Sequence, residues 1–217
     1  MRRGKQGCHD ATSGAGRVGL PQLMTSRAQA VQETLRDSAR LHERVAAGSL
    51  DAVVAAAETL LTAFGSGAKV LIFGNGGSAA DAQHFACELV GRFLRDRRAL
   101  PAIALTADTS AVTAIANDYG FDRVFVRQID AHARPGDVAV GISTSGSSAN
   151  VLAGLQFAKS RGLKTVAFTG GSGGPIGAAA DVHVNVPHDL TPRVQEVHRT
   201  LIHAVCDIVE QQIGGNG

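Results

Sequence analysis

From about residue 50 onward, short continuous apolar runs alternate with longer stretches whose apolar positions recur at helical spacing. Continuous runs bounded by Gly, Asp or Ser predict strands buried on both faces, and the stretches between them predict helices. The pattern predicts strands over Lys69–Phe73, Ala102–Leu105, Val138–Ile142, Thr165–Phe168 and Val182–Val186. It predicts helices over Ser26–Ala46 and Ser49–Phe64, then over Ala79–Leu94, Thr109–Ala116, Phe121–Ala131, Ser148–Arg161, Pro175–Ala180 and Arg193–Gln212. Repeated strand, loop and helix units need crossover connections, so the fold class is α/β, with a parallel sheet flanked by helices and preceded by N-terminal helices. The first helix alternates charge with Ala, Val and Leu, as a partly exposed or subunit-packing helix does.

No solenoid repeat or second domain is visible, and 24–217 reads as a single domain. Residues 1–23 are rich in Arg, Gly and small polar residues without apolar periodicity, so disorder is expected there. Met24, just before the helix, is an alternative functional start. The basic N-terminus lacks the apolar centre of a secretory signal, and no later segment is long enough to span a bilayer, so a cytoplasmic location without a membrane partner is expected. A net charge of +2, no Trp and a single Tyr give no reason to expect nucleic acid. Cys8, Cys87 and Cys206 are odd in number and far apart, which fits free thiols in a reducing compartment.

Two loops carry the chemistry. The first predicted strand runs into Gly74-Asn75-Gly76-Gly77-Ser78. The glycines let a ligand approach the backbone, and the N–H groups opening the next helix carry partial positive charge suited to phosphate. The third strand runs into Ser143-Thr144-Ser145-Gly146-Ser147-Ser148, almost all hydroxyls. A neutral loop of this kind holds an anion through hydroxyl and N–H donors; equally, Ser148 alone would serve as a helix N-cap and the remaining serines as a solvated turn. The occurrence of two such loops at strand carboxyl ends favours ligand binding. On the helix after the first loop, His84 and Glu88 are four residues apart and share a face, placed for acid/base or metal chemistry.

The set Gly74–Ser78 with Asp81, His84 and Glu88, then Ala116-Asn117-Asp118, the Ser143–Ser148 loop, and Arg193-Val194-Gln195-Glu196-Val197-His198 with His203 resembles the phosphoheptose isomerases of the sugar isomerase (SIS) superfamily. The resemblance implies a Rossmann-like sheet and a homotetramer with active sites at subunit boundaries. The implied reaction interconverts D-sedoheptulose 7-phosphate and D-glycero-D-manno-heptose 7-phosphate, a step toward nucleotide-activated heptoses. Ser143, Thr144, Ser145 and Ser148 match the family's phosphate cradle, and Asn75, Ser78 and Asp118 match positions that hold the sugar chain. With them Gly76, Gly77 and Gln195 complete the expected substrate set. Glu88 and His203 match an acid/base pair, and His84, Glu88, Gln195 and His203 match a Zn²⁺-binding set. Pro192 stands where several members carry Asp, which removes one polar substrate contact.

The reaction asks for these residue types independently. Converting a ketose to an aldose passes through an enediol, with one group moving a carbon-bound proton and another serving oxygen. A carboxylate and an imidazole suffice, with Glu88 preferred on carbon and His203 as its partner. His84, Glu88 and His203 are donors that Zn²⁺ accepts, while Gln195 lies eight positions before His203, about 12 Å of helix rise. Either a metal site or hydrogen-bonded packing remains open for His84 and Gln195. Arg92, Arg95, Arg97 and Arg98 read as a solvated helix end, and Gly170–Gly174 as a flexible turn without the spacing of a dinucleotide site. A non-catalytic sugar-phosphate sensor or replication-initiator-binding regulator would keep the fold and the Ser-rich loop, but the related regulator has small or amide side chains at the positions of Glu88 and His203.

Overall fold

In the computed structural model, which describes residues 20–214, successive residues of the first strand send side chains to opposite faces, and both faces are buried. Val70 and Ile72 pack with Val140, Ile142, Phe168 and Val184 beneath helices that contribute Leu60, Phe85, Ile202 and Val205. Leu71 and Phe73 pack on the other face with Phe125, Ile129, Val151, Leu155 and Ile176. Two covered faces explain why the strands read as continuous apolar runs.

The strands are β1 (Val70–Gly74), β2 (Ala102–Ala104), β3 (Val138–Ser143), β4 (Lys164–Gly170) and β5 (Val182–Val186). All neighbours are parallel, in the order β2-β1-β3-β4-β5. The helices are α1 (Leu20–Ala46), α2 (Asp51–Gly65), α3 (Gly77–Val90), α4 (Thr109–Tyr119), α5 (Val124–His132), α6 (Ala149–Ser160), α7 (Gly174–Ala179) and α8 (Thr191–Gly214), with a single 3₁₀ turn at Phe121–Arg123. From β1 the chain crosses to β2 on one side and then to β3 on the other. The carboxyl ends of β1 and β3 therefore flank the topological switch point, where open α/β sheets bind ligands.

Two units divide the chain, 1–37 and 38–217; the second holds the sheet, and the first is helical over its described part. The expected disorder of 1–23 falls outside the described residues as far as position 19, while the first helix begins at Leu20 rather than Ser26. Elsewhere every expected strand and helix is present, β5 over the expected range and the others with one or both ends shifted. The largest shift is at α3, which starts at Gly77 and stops at Val90, four residues short of Leu94. No single helix among the described residues is long and apolar enough to cross a membrane.

Candidate active site

The two predicted loops emerge side by side, because Gly74 pairs with Ile142 where β1 and β3 end. Gly76 takes φ 53° and ψ −121°, a conformation that favours glycine, and α3 opens directly after it without a side-chain cap. A Cβ on Gly77 would run into the side-chain amide of Gln195. Ser78, next along, is buried.

In the second loop, Ser143 Oγ lies 2.9 Å from Ser148 Oγ and 3.4 Å from Ser145 Oγ. Ser145 Oγ also accepts from the Ser147 N–H and hydroxyl at 3.3 and 3.1 Å. Ser148 holds the N-cap position of α6, yet its hydroxyl makes no capping bond and turns to Ser143 instead. The capping alternative is thus not what this serine does, and three hydroxyls face one another at a helix start whose dipole favours an anion. Thr144 is half-buried within the same turn. The Gly170–Gly174 turn packs onto this loop: Ile176 N–H donates to Gly146 O at 3.1 Å, and a Cβ on Gly146 would strike Gly173 O. Asn75 and Asn150 join the loops through two reciprocal amide hydrogen bonds, of 2.8 and 2.9 Å.

Helices α3 and α8 build the second half of the site. Gly77 meets Gln195, Asp81 accepts from Arg199 at 2.7 and 3.2 Å, and His84 meets His203. The partners advance in the same order along both helices, so the two run parallel in matched steps of three or four residues. His84 Nε2 lies 2.7 Å from His203 Nε2 and 3.5 Å from Glu88 Oε1. Donor atoms of His84, Glu88 and His203 all lie within 4.8 Å of one another. Burial, His84 and Arg199 push the His203 imidazole below its ordinary range against the opposing pull of Glu88, which keeps it neutral and able to accept a proton or a metal.

This triad is a donor set that fits Zn²⁺. Nitrogen ligands about 2 Å from a tetrahedral ion sit roughly 3.3 Å apart, so the two rings would open by about half an ångström from their present hydrogen-bonded distance. Gln195 is not brought to the triad. It lies against Gly77 and lines a cavity of about 320 Å³ with Ala80, Asp81, Pro192, Glu196 and Arg199. Asp118 also stands apart: it is exposed at the end of α4, accepting from Asn117 at 2.8 Å, and among the described residues no hydrogen bond or ion pair joins it to either loop.

Arg92, Arg95 and Arg98 of the basic run after α3 are exposed, as expected of a solvated end, but Arg97 is not. Arg97 is buried, with its side chain only 2% exposed, and its guanidinium donates to the carbonyls of Glu88 at 2.6 Å, Leu89 at 2.8 Å and Gly91 at 3.0 Å. Its Nε lies 3.3 Å from Oε1 of Glu210, itself 1% exposed. The Glu210 carboxylate accepts from the N–H groups of Phe93, Leu94 and Arg95 at 2.6, 2.8 and 2.9 Å, and so ends α3 at Val90. Phe93 in turn stacks 5.1 Å from the His203 ring. Charge pattern could not reveal this lock, because Glu210 is 113 positions from Arg97 in sequence. His198 is buried and bonds Thr169 O through Nε2 at 2.9 Å, a packing role that keeps it out of the triad.

Residues 35–170 match the SIS domain family. A phosphoheptose isomerase of Geobacter sp. (strain M21) is 56% identical over 162 residues, which cover 75% of this chain and 84% of that protein. The chain belongs to the phosphoheptose isomerase family. A probable phosphoheptose isomerase of Thermoplasma acidophilum is 52% identical over 164 residues, covering 76% and 90% of the two chains. Among solved structures, the phosphoheptose isomerase GmhA of Neisseria gonorrhoeae superposes with a TM-score of 0.80 at 47% identity, over 85% of this chain and 98% of that one. The sugar isomerase domain of an RpiR transcription factor from Sphaerobacter thermophilus, with a TM-score of 0.60 at 22% identity, shares the fold alone. In this phosphoheptose isomerase family member Glu88 and His203, the carboxylate and imidazole expected to act as a pair, lie close together.

Proposed function

We propose that the protein interconverts D-sedoheptulose 7-phosphate and D-glycero-D-manno-heptose 7-phosphate through an enediol. The observation that carries this reading is the convergence of Glu88 and His203 in the α3/α8 groove of a chain so similar to phosphoheptose isomerases. The Ser143–Ser148 loop and the start of α6 hold the phosphate, while Asn75, Gly76, Gly77, Ser78, Gln195 and Asp118 are assigned to the sugar chain. Glu88 takes the proton from C1 of the ketose and returns it to C2. His203, neutral at pH 7, carries the oxygen proton from O1 to O2.

The groove also supports Zn²⁺ held by His84, Glu88 and His203, with Gln195 as a ligand only after its side chain leaves Gly77. When bound, the ion would supply a Lewis acid for the enediol oxygens.

We place the enzyme in the cytoplasm as a homotetramer whose sites are completed across subunit boundaries. Length supports the sharing. Glu88 lies eleven residues along α3 from Gly77, about 16 Å of helix rise, whereas a seven-carbon phosphate spans roughly 10 Å given bonds of about 1.5 Å. That spacing supports a site in which the loops of one copy and the acid/base pair of a neighbouring copy meet on one substrate.

Incubation of the purified protein with sedoheptulose 7-phosphate, followed by NMR of the C1 signal, should show aldose formation at equilibrium. Binding without turnover would instead identify a sensor, and neither binding nor turnover would remove this substrate class.

A further inference from the structure

We propose that Asn150 is a positioning residue that fixes the side chain of Asn75 for the sugar chain and couples the two ligand loops. The proposal rests on the reading of these loops as the substrate site. It begins from an oddity of burial: Asn150 sits in the first turn of α6 with only 3% of its surface exposed, an uncommon place for a carboxamide. Its amide hydrogen donates to Asn75 Oδ1 at 2.9 Å, and its oxygen accepts from Asn75 Nδ2 at 2.8 Å. A buried amide is retained at low cost only when it is bonded in this way.

The geometry has two consequences. First, two antiparallel amide bonds define one orientation, since each group must present a donor and an acceptor together. Asn75, half-buried beside Gly76, therefore keeps one N–H and one oxygen lone pair available in a fixed direction. Those are the groups that recognise a hydroxyl, which both donates and accepts. Second, the clamp spans the switch point. Asn75 follows β1, whereas Asn150 follows the hydroxyl loop after β3, next to Ser148. An anion drawn to the start of α6 holds the helix turn that carries Asn150, and through it the orientation of Asn75. The sugar-recognising amide is thus ordered by the phosphate-binding element rather than by its own loop, in which Gly76 and Gly77 offer no side-chain support.

The test compares sugar phosphate with inorganic phosphate by titration calorimetry on the full chain, alongside KM and kcat. Asn150→Ala should weaken sugar-phosphate binding and raise KM about tenfold, the loss expected for one or two neutral hydrogen bonds, while affinity for inorganic phosphate changes less than twofold. Asn75→Ala should do the same, and the Asn75→Ala/Asn150→Ala double variant should bind no more weakly than Asn75→Ala alone, because Asn150 acts only through Asn75. Equal losses for both ligands, or effects that multiply in the double variant, would overturn the assignment and leave Asn150 a plain structural residue. Should Asn150→Ala fail to fold, Asn150→Ser suits the helix start yet is too short to complete both bonds, and the same comparison decides. Failure of the unaltered protein to bind any sugar phosphate removes both the function and the clamp; unchanged binding by the variants removes the clamp alone.

Discussion

Replacing Glu210 by Ala should cost this protein more stability than almost any surface change and should also slow turnover, although Glu210 belongs to neither loop. The carboxylate is buried, accepts three backbone N–H bonds and faces the Arg97 guanidinium at 3.3 Å. Removing it leaves a buried cation without its counter-charge and three N–H groups without an acceptor. Breaking a buried pair from one side costs about 3–5 kcal/mol, a large share of the roughly 5–15 kcal/mol that holds a domain folded. In a chain of this size about 2–4 °C of melting temperature accompanies each kcal/mol, so the variant should melt roughly 10 °C lower. The sign of the pH dependence follows from the same contacts. Burial raises the Glu210 carboxyl, but the bonds from Phe93, Leu94 and Arg95 and the charge of Arg97 outweigh it, leaving the group below its ordinary 4.5. The unfolded chain then holds the proton more tightly, so the stabilisation is full above pH 4.5 and is lost as pH falls through the folded value. Thermal melts by circular dichroism between pH 3 and 8 check both parts. The unaltered protein should lose an acid-sensitive component that Glu210→Ala lacks. A paired Arg97→Met/Glu210→Leu variant should melt above the single one, since no lone charge remains. Turnover below the melting range should fall mainly in kcat, because Arg97 also bonds the Glu88 carbonyl. A melting temperature within about 2 °C of the original for Glu210→Ala would refute the lock.

Further outcomes follow from the site. Ser145→Ala or Ser148→Ala should weaken sugar-phosphate binding by about one to two orders of magnitude, as loss of a charge-assisted bond predicts; unchanged affinity in both variants, by calorimetry, would place the phosphate elsewhere. Glu88→Gln should abolish isomerisation while retaining substrate binding, and His203→Ala should suppress it strongly; near-original kcat in either defeats the acid/base assignment. Stripping the protein with a chelator should remove activity that Zn²⁺ restores, with metal content measured directly; full activity in a verified metal-free sample would make the pair metal-independent.

Most of the fold was legible because the central strands β1, β3 and β4 are buried on both faces, so their apolar runs are continuous and run into Gly or Ser, while the edge strands β2 and β5 are only half-buried. Ends were legible only where local chemistry sets them. The start of α3 at Gly77, two residues before the expected Ala79, follows the Gly76 N-cap, whereas its end at Val90 is imposed by Glu210 from the far end of the chain, and no reading of residues 88–98 alone contains that carboxylate. The site divides along the same line. His84 and Glu88 share a helix face by spacing, and the hydroxyl loop declares itself by composition. The contacts of Asn75 with Asn150, Asp81 with Arg199 and His84 with His203 span 75, 118 and 119 positions, and only the topology brings them together.

The parallel course of α3 and α8 explains why the acid/base pair can form at all. Both helices cover one face of the sheet, so their axes are fixed by strands that run the same way, and contacts repeat whenever both sequences advance by about one turn. Gln195, Arg199 and His203 fall four residues apart on one stripe of α8, and Gly77, Asp81 and His84 answer them on α3. Gly at the first step lets the helices close near the ligand loops, an ion pair holds the second, and the third brings two imidazoles and a carboxylate together. A methyl group at position 77 would meet only the amide end of the Gln195 side chain, which can swing aside, so Gly77→Ala should displace Gln195 from the ligand-loop end while the Asp81–Arg199 ion pair and the two imidazoles keep the helices in step.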